Sequence, residues 1–261
     1  MHWDHVEPAQ VPDGVQGEKC YAPETLQDLR RIWALVTSVE DNFALIGKAA
    51  FSSTLLPVCT ETRHWGYVCD NSNPKTNRIG DARLTFLRNL GQYKSAYEVR
   101  ASGQPLGIAS AMIYRGDARE VLQRIATGSV GLVVTSPPYF GVADYAKSQR
   151  LSMEWFGIEI ESVRKGEIGA RSKRHRKTAN TNFLSELKAV FVECYRALRS
   201  GGYATVVFGS SPSRNDTLPV FTDDLKDIGF TLEIDIIRNI SSMRRQNPSL
   251  NTERVIILRK R

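Results

Sequence analysis

The stretch VVTSPPYFGVADY, at residues 133–145, decides how the second part of this chain is interpreted. It begins with two adjacent valines, which are typical of the end of a buried strand. Pro137 and Pro138 cannot donate hydrogen bonds to a strand ladder, and each fixes its own φ angle, so the strand must end before them. The sequence therefore predicts a stiff turn at the carboxyl end of a strand. That turn fixes the directions of Ser136 and Tyr139.

Predicted strands and helices alternate after residue 106. The strands are predicted in SAMIYRGD (110–117), VGLVVTS (130–136), YATVVFGSS (203–211), FTLEIDIIR (230–238) and RVIILRK (254–260). The helices are predicted in AREVLQRIA (118–126), NFLSELKAVFVECYRALRSGG (182–202) and LPVFTDDLKDIG (218–229). The last two strands have only a loop between them and are predicted to pair antiparallel at a sheet edge. Such alternation predicts an α/β layered sheet that binds ligands at the carboxyl ends of its strands.

The chain before residue 106 is different in character. Residues 1–22 are polar and rich in proline and glycine, which indicates a flexible lead-in. From Pro23 onward, apolar residues recur at helical spacing, and two further helices are predicted around the polar loop at 62–78. The apolar stripe of the first helix consists of Leu26, Leu29, Trp33 and Val36. We therefore predict a helical region at 23–105 and an α/β region at 106–261.

The composition is that of a globular protein without a membrane segment. Of the 261 residues, 41% are hydrophobic and 24% are charged, and no apolar run approaches the length of a membrane span. The first residues contain acidic side chains and lack the apolar core of a secretory signal, so a cytoplasmic protein is expected. The four cysteines have no zinc-binding spacing, and no metal site is expected. A net charge of +7 permits a polyanionic partner.

The residues Ser136-Pro137-Pro138-Tyr139 resemble the catalytic motif of the amino-group DNA methyltransferases. Enzymes of that family transfer a methyl group from S-adenosylmethionine to an exocyclic nitrogen. The serine form is typical of N4-cytosine enzymes and the aspartate form of N6-adenine enzymes. The similarity extends through residues 136–157, 196–211 and 253–260, and the region from Tyr21 to Lys75 resembles a helical insert of one branch. The resemblance implies an α/β fold with an incomplete Rossmann-like methyltransferase sheet, preceded by a helical region.

The resemblance assigns the chemistry to the turn, since an aromatic amine is a poor nucleophile whose lone pair is delocalised into its ring. Acceptors aimed at the amine hydrogens draw the nitrogen toward a tetrahedral geometry. The Ser136 hydroxyl and the Pro137 carbonyl, fixed by Pro138, are the candidate acceptors. Tyr139, and also Phe140, would stack on a base flipped out of the duplex. A turn that only terminates the strand is the structural alternative.

Four further residues are candidates for binding. Asp117 and Thr135, each at a predicted strand end, are candidate contacts of S-adenosylmethionine. For Asp117, a helix N-cap for the following helix fits equally well. Tyr145 and Arg150 follow the motif and are candidates for lining the target pocket or contacting phosphate, with packing or a surface ion pair as the alternative.

The densest charge run of the chain, RSKRHRKT, lies shortly before the long predicted helix. Beside the turn, its cations would suit DNA phosphates and make binding sensitive to salt. A solvated loop is the alternative. The candidate residues are Arg171, Lys173, Arg174, Arg176 and Lys177.

The sequence lacks the strand and glycine-rich loop with which members of this family bind the cofactor. The resemblance therefore implies a catalytic part or subunit, with the glycine loop carried by a second polypeptide or lost. A DNA methyltransferase specific for cytosine N4 (or adenine N6) is the first hypothesis. An RNA base amino-methyltransferase and a non-catalytic nucleic-acid-binding subunit derived from a methyltransferase are the alternatives.

Overall fold

A computed structural model describes residues 3–40, 42–60, 79–102, 111–141, 143–210, 217–239 and 252–261. The chain divides into two compact units. The first comprises Met1–Ala111 and Ala146–Val163, and the second comprises Met112–Tyr145 and Arg164–Arg261. The polar loop predicted at 62–78 lies outside the described residues.

The helices and strands of the described residues are given in chain order. The helices are α1 (Gly17–Cys20), α2 (Pro23–Ser38), α3 (Asn42–Val58), α4 (Ala82–Ser102), α5 (Ala118–Val121), α6 (Tyr145–Ser148), α7 (Arg150–Trp155), α8 (Ile160–Gly166), α9 (Ala179–Ala197) and α10 (Thr217–Ile228). The strands are β1 (Val130–Thr135), β2 (Leu198–Ser210), β3 (Phe230–Asn239) and β4 (Thr252–Lys260). Short 3₁₀ turns occur at Trp3–His5, Leu122–Arg124 and Arg171–Lys173.

The first unit is a helical bundle with one apolar core. The stripe predicted on α2 faces this core: Leu29 and Val36 are buried, and Leu26 and Trp33 pack against it. The core also takes in α7, whose Trp155 is 1% exposed and packs edge-on against Phe51 with ring centroids 5.1 Å apart. For this reason residues 146–163 belong to the helical unit, although they lie within the region predicted as α/β.

The second unit contains a four-stranded sheet in the order β1-β2-β4-β3. β1 pairs with β2 in parallel, whereas β4 pairs antiparallel with both β2 and β3. The predicted α/β class and the predicted antiparallel closing pair are therefore confirmed. Helices α9 and α10 cover one face of the sheet. The buried side chains of that layer include Phe183, Leu187, Phe191, Phe221 and Leu225 from the helices and Ala204, Val206, Phe208, Ile256 and Leu258 from the strands.

Two local predictions are wrong in this unit. The strand predicted in SAMIYRGD is absent from residues 111–117, where Met112 and Ile113 are 77% and 93% exposed. Strand-forming side chains do not make a strand without a paired neighbour and a packed face.

Helix α9 also ends at Ala197, before the predicted glycine stop. There the Nζ of Lys260 donates to the carbonyl of Tyr195 in the last turn of α9 and to that of Leu198, the first residue of β2, at 2.6 and 2.7 Å.

The opposite face of the sheet is apolar and exposed. Leu132 and Val134 of β1 are 56% and 69% exposed. Tyr203, opposite Leu132 on β2, is also exposed, as are Ile234 and Ile236 of β3. Among the described strands, β1 pairs only with β2 and is a sheet edge. No helix within the described ranges has the length and apolar character needed to cross a membrane.

Candidate active site

The strand β1 ends before the two prolines, as predicted, and residues 136–139 belong to no helix or strand. β1 ends at Thr135, which lies opposite Val206 of the parallel strand β2. Pro137 is buried and anchors the turn, whereas Ser136 is exposed. The Ser136 hydroxyl therefore stands at the carboxyl end of a parallel strand, where open α/β sheets bind their ligands.

A chain of hydrogen bonds connects this turn with the antiparallel strands. The Ser136 Oγ lies 3.2 Å from the hydroxyl of Tyr139. The Tyr139 hydroxyl donates to Oε1 of Glu253 at 3.1 Å. The other carboxylate oxygen of Glu253 accepts from Nε of Arg238 at 2.8 Å. The structure thus links the motif to β4 and β3, and the sequence patterns gave no sign of this link.

The ring of Tyr139 is half-buried against the sheet. It packs on Phe208 with ring centroids 5.9 Å apart. Burial, with a further contribution from the negative charge of Glu253, raises the pKa of Tyr139 to about 12. The phenol therefore stays protonated at neutral pH and keeps a hydrogen to donate.

A second loop, which contains Gly169, packs against the residues that follow Tyr139. The Gly141 amide donates to the Gly169 carbonyl at 2.8 Å, and both glycines have positive φ, +62° and +68°. A Cβ at Gly169 would lie 2.7 Å from Cδ2 of Phe183, so only glycine fits this conformation and this space. The ring of Phe140 packs on Phe183 at 5.3 Å. Phe140 thus contributes to the core beneath the turn, and its predicted stacking on a base stays a prediction.

Asp117 lies at the N-cap of α5. Its Oδ1 accepts from the backbone amide of Arg119 at 2.9 Å and from the Nε of the same residue at 2.9 Å. The Arg119 side-chain hydrogen bond lowers the pKa of Asp117 and keeps it ionised. Arg119 also pairs with Glu186 at 3.3 Å. The N-cap interpretation thus has contacts in the structure, and a cofactor contact of Asp117, like that of Thr135, stays a prediction.

The basic run divides into two groups. Lys173 donates to the carbonyls of Lys165 and Glu167 at 3.0 and 2.8 Å, and Arg174 donates to the Arg171 carbonyl at 3.2 Å. These side chains help to hold their own loop. Arg176 and Lys177 are exposed. If the run contacts DNA, these last two cations are best placed to do so.

Tyr145 and Arg150 fall in different units. The backbone amide of Tyr145 donates to the carboxylate of Glu167, and its ring is exposed. Arg150 belongs to the helical unit, where it pairs with the buried Glu154 at 3.0 Å. The predicted substrate contacts of both residues stay predictions. In the described part of the chain, no group of three or more His, Cys, Asp or Glu residues is arranged to hold a metal ion.

Comparison with known proteins finds DNA methyltransferases. The chain is 31% identical over 106 residues to the Type II methyltransferase M.Cfr9I of Citrobacter freundii and 32% identical over 99 residues to the Type II methyltransferase M.XycI of Xanthomonas campestris pv. cyanopsidis. These segments cover 41% and 38% of this chain but only 28% and 25% of the relatives. No family model matches the chain.

A partial similarity to solved structures accompanies these matches. A protein described as a DNA modification methylase of Thermus thermophilus, solved with S-adenosyl-L-methionine, is 25% identical, with a TM-score of 0.35, and the match covers 56% of this chain and 53% of that protein. The predicted resemblance to DNA methyltransferases is confirmed by the sequence relatives. They span more than three times the length that they share with this chain.

Proposed function

We propose that this chain is the base-handling part of a DNA methyltransferase that transfers a methyl group from S-adenosylmethionine to an exocyclic amine, most specifically the N4 of cytosine. The observation that carries this proposal is the exposed Ser136 hydroxyl, which Tyr139 holds at 3.2 Å at the carboxyl end of β1. The serine form of the motif favours cytosine N4 over adenine N6. The similarity to Type II methyltransferases supports DNA as the substrate.

The turn acts on the target amine by positioning and electrostatics. The Ser136 oxygen and the Pro137 carbonyl accept hydrogen bonds from the two amine hydrogens. These bonds localise the nitrogen lone pair and aim it away from the protein, toward the methyl donor. Because the acceptors are fixed by the prolines, little reorganisation is needed when the base arrives. This step requires no covalent nucleophile of the protein.

We propose that this chain alone does not form a complete site for S-adenosylmethionine. The candidate carboxylate of Asp117 is engaged by Arg119 through two hydrogen bonds of 2.9 Å. A glycine-rich strand–helix turn, which lets a chain approach the cofactor closely, is not found in the sequence. The cofactor would supply a sulfonium methyl group, and the residues of this chain act on the acceptor amine.

We further propose that a second polypeptide supplies the glycine-rich loop and completes the sheet. The position of β1 at the edge of the described sheet supports this, because a strand with unpaired backbone groups offers a template for pairing. The exposed apolar side chains of Leu132 and Val134 support it as well, because apolar patches of this kind mark interaction sites.

Nucleoside mass spectrometry tests the proposed function. A host carrying the gene with its flanking reading frames is expected to accumulate N4-methylcytosine in its DNA. The same host with Ser136→Ala should accumulate much less. N6-methyladenine in place of N4-methylcytosine would change the assigned base, and methylation confined to RNA would favour the RNA enzyme. An unmodified nucleoside profile in DNA and RNA alike would contradict the proposal.

Exposed cations of the basic run are expected to contact DNA phosphates. The double variant Arg176→Gln/Lys177→Gln should weaken duplex binding and reduce the slope of log affinity against log salt by about 2, because each lost phosphate contact removes about one unit. Fluorescence anisotropy over a salt series measures both quantities. The variant Arg124→Gln/Lys226→Gln removes the same charge at two other exposed positions and serves as the control. Equal slopes for the two variants would assign the run to solvent.

A further inference from the structure

We propose that Glu253 is a positioning residue that fixes the direction of the hydrogen bond between Tyr139 and Ser136, so that the Ser136 oxygen presents only lone pairs to the target amine. This inference rests on the function proposed above and adds a residue to it. Glu253 lies on β4, 114 residues beyond Tyr139, and it is outside the four-residue motif Ser136–Tyr139.

The hydrogen-bonded chain Glu253–Tyr139–Ser136 is called the relay below. It begins at a carboxylate, which can only accept hydrogen bonds. Glu253 is 17% exposed, and Arg238 donates to its Oε2 through Nε at 2.8 Å. Both carboxylate oxygens of Glu253 thus face hydrogen-bond donors, and a carboxylate has no hydrogen to give. The hydrogen in the 3.1 Å contact between Oε1 and the Tyr139 hydroxyl must therefore come from the tyrosine.

The direction of this hydrogen bond determines the direction of the next one, between Tyr139 and Ser136. Its single hydroxyl hydrogen is used toward Glu253, and the raised pKa means that the hydrogen is retained at neutral pH. Toward Ser136 the tyrosine oxygen can then only accept. At the observed 3.2 Å, the Ser136 hydroxyl donates to Tyr139. A hydroxyl has one hydrogen and two lone pairs, so both lone pairs of Ser136 remain for an N–H donor.

The direction matters because a serine hydroxyl can also donate. If Ser136 turned its hydrogen toward the target nitrogen, it would bind the lone pair that has to attack the methyl group. Because the Ser136 hydrogen is donated to Tyr139, it is not available to bind the target nitrogen when the base arrives. Such preorganisation costs no rearrangement during the reaction.

The variant Glu253→Gln reverses the relay without changing its shape. Arg238 is a donor and holds the amide oxygen, so the amide NH₂ faces Tyr139 and donates to it. The tyrosine hydrogen then turns toward Ser136 and occupies one of its lone pairs. We expect the single-turnover rate of methyl transfer to fall at least about tenfold, with unchanged DNA affinity. The measurement uses the complex purified through a tag on this chain, from a host with the flanking reading frames.

Asp235→Asn provides the matched control. Asp235 pairs with Arg254 across the same two strands, with Nε and Oδ1 2.9 Å apart, and does not contact the relay. The control loses the same charge from the same strand pair. Its rate should stay within about twofold of the wild type.

The background Tyr139→Phe separates positioning from a merely structural role. Without the phenol oxygen, no hydrogen bond connects Glu253 with Ser136 through residue 139. Adding Glu253→Gln to Tyr139→Phe should therefore change the single-turnover rate of methyl transfer less than about twofold. Equal losses in the wild-type and Tyr139→Phe backgrounds would show that Glu253 acts on the fold alone, and a rate unaffected by Glu253→Gln would also overturn the relay. A wild-type complex that methylates no nucleic acid would instead overturn the proposed function, and the relay with it.

Discussion

Replacing Ser136 by alanine is expected to lower the rate of methyl transfer by about 10²–10³-fold, the loss typical when one preorganised hydrogen-bonding group is removed from a reacting centre. The hydroxyl is exposed and its hydrogen-bond partner is Tyr139, so its removal should leave folding and DNA binding nearly unchanged. Rapid-quench transfer of a labelled methyl group to duplex DNA measures the rate. Thermal unfolding and anisotropy measure stability and DNA affinity.

Ser129→Ala is the matched control for this variant. Ser129 is also exposed, stands just before the other end of β1, and donates to the Ala126 carbonyl at 2.7 Å. Its loss removes the same hydroxyl group at the opposite end of the same strand, without touching the residues after β1. A Ser136→Ala enzyme as active as the Ser129→Ala enzyme would remove Ser136 from the chemistry.

The isolated chain is expected to bind S-adenosylmethionine weakly, with a dissociation constant larger than about 1 mM. This corresponds to a binding free energy less favourable than about −4 kcal/mol. The close approach of backbone to cofactor depends on a glycine turn that the sequence does not contain, and Asp117 is engaged by Arg119. Titration calorimetry on the 261-residue chain measures this affinity.

Adding the product of a flanking reading frame should bring the affinity into the micromolar range if that product carries the missing loop. The comparison has to include the added protein alone, to show that binding requires both chains. Micromolar binding by the isolated chain would mean that its own residues form the cofactor site. The proposed second polypeptide would then be unnecessary.

The strands of the sheet could be predicted from the sequence because they have strong local patterns. The antiparallel pair β3–β4 followed from two apolar runs without a helix between them, and the end of β1 followed from Pro137. The strand predicted in SAMIYRGD failed because side-chain pattern does not reveal whether a neighbour is available for pairing. The end of α9 was misplaced because Lys260, which contacts that end, lies 62 residues beyond Leu198 in the sequence.

The candidate site was predictable only where the motif itself carries it. Ser136 and Tyr139 lie together, as a four-residue turn requires. The link from Tyr139 to Glu253 depends on the register between strands that are distant in sequence, and no local pattern encodes that register. The basic run shows the same limit, since Lys173 and Arg174 use their charges on nearby carbonyls that the sequence alone could not indicate.

The exposed edge of β1 also has a consequence for the order of events after synthesis. Among the described strands, the outer edge of β1 has no partner, and together with the exposed Leu132 and Val134 it offers a template for pairing with an extended chain, including another copy of this one. A chain made before the proposed second polypeptide would therefore be prone to insoluble self-association, in competition with the proposed assembly. Simultaneous production of both components would shorten that vulnerable interval. The yield of soluble protein would then depend on timing as well as on stability.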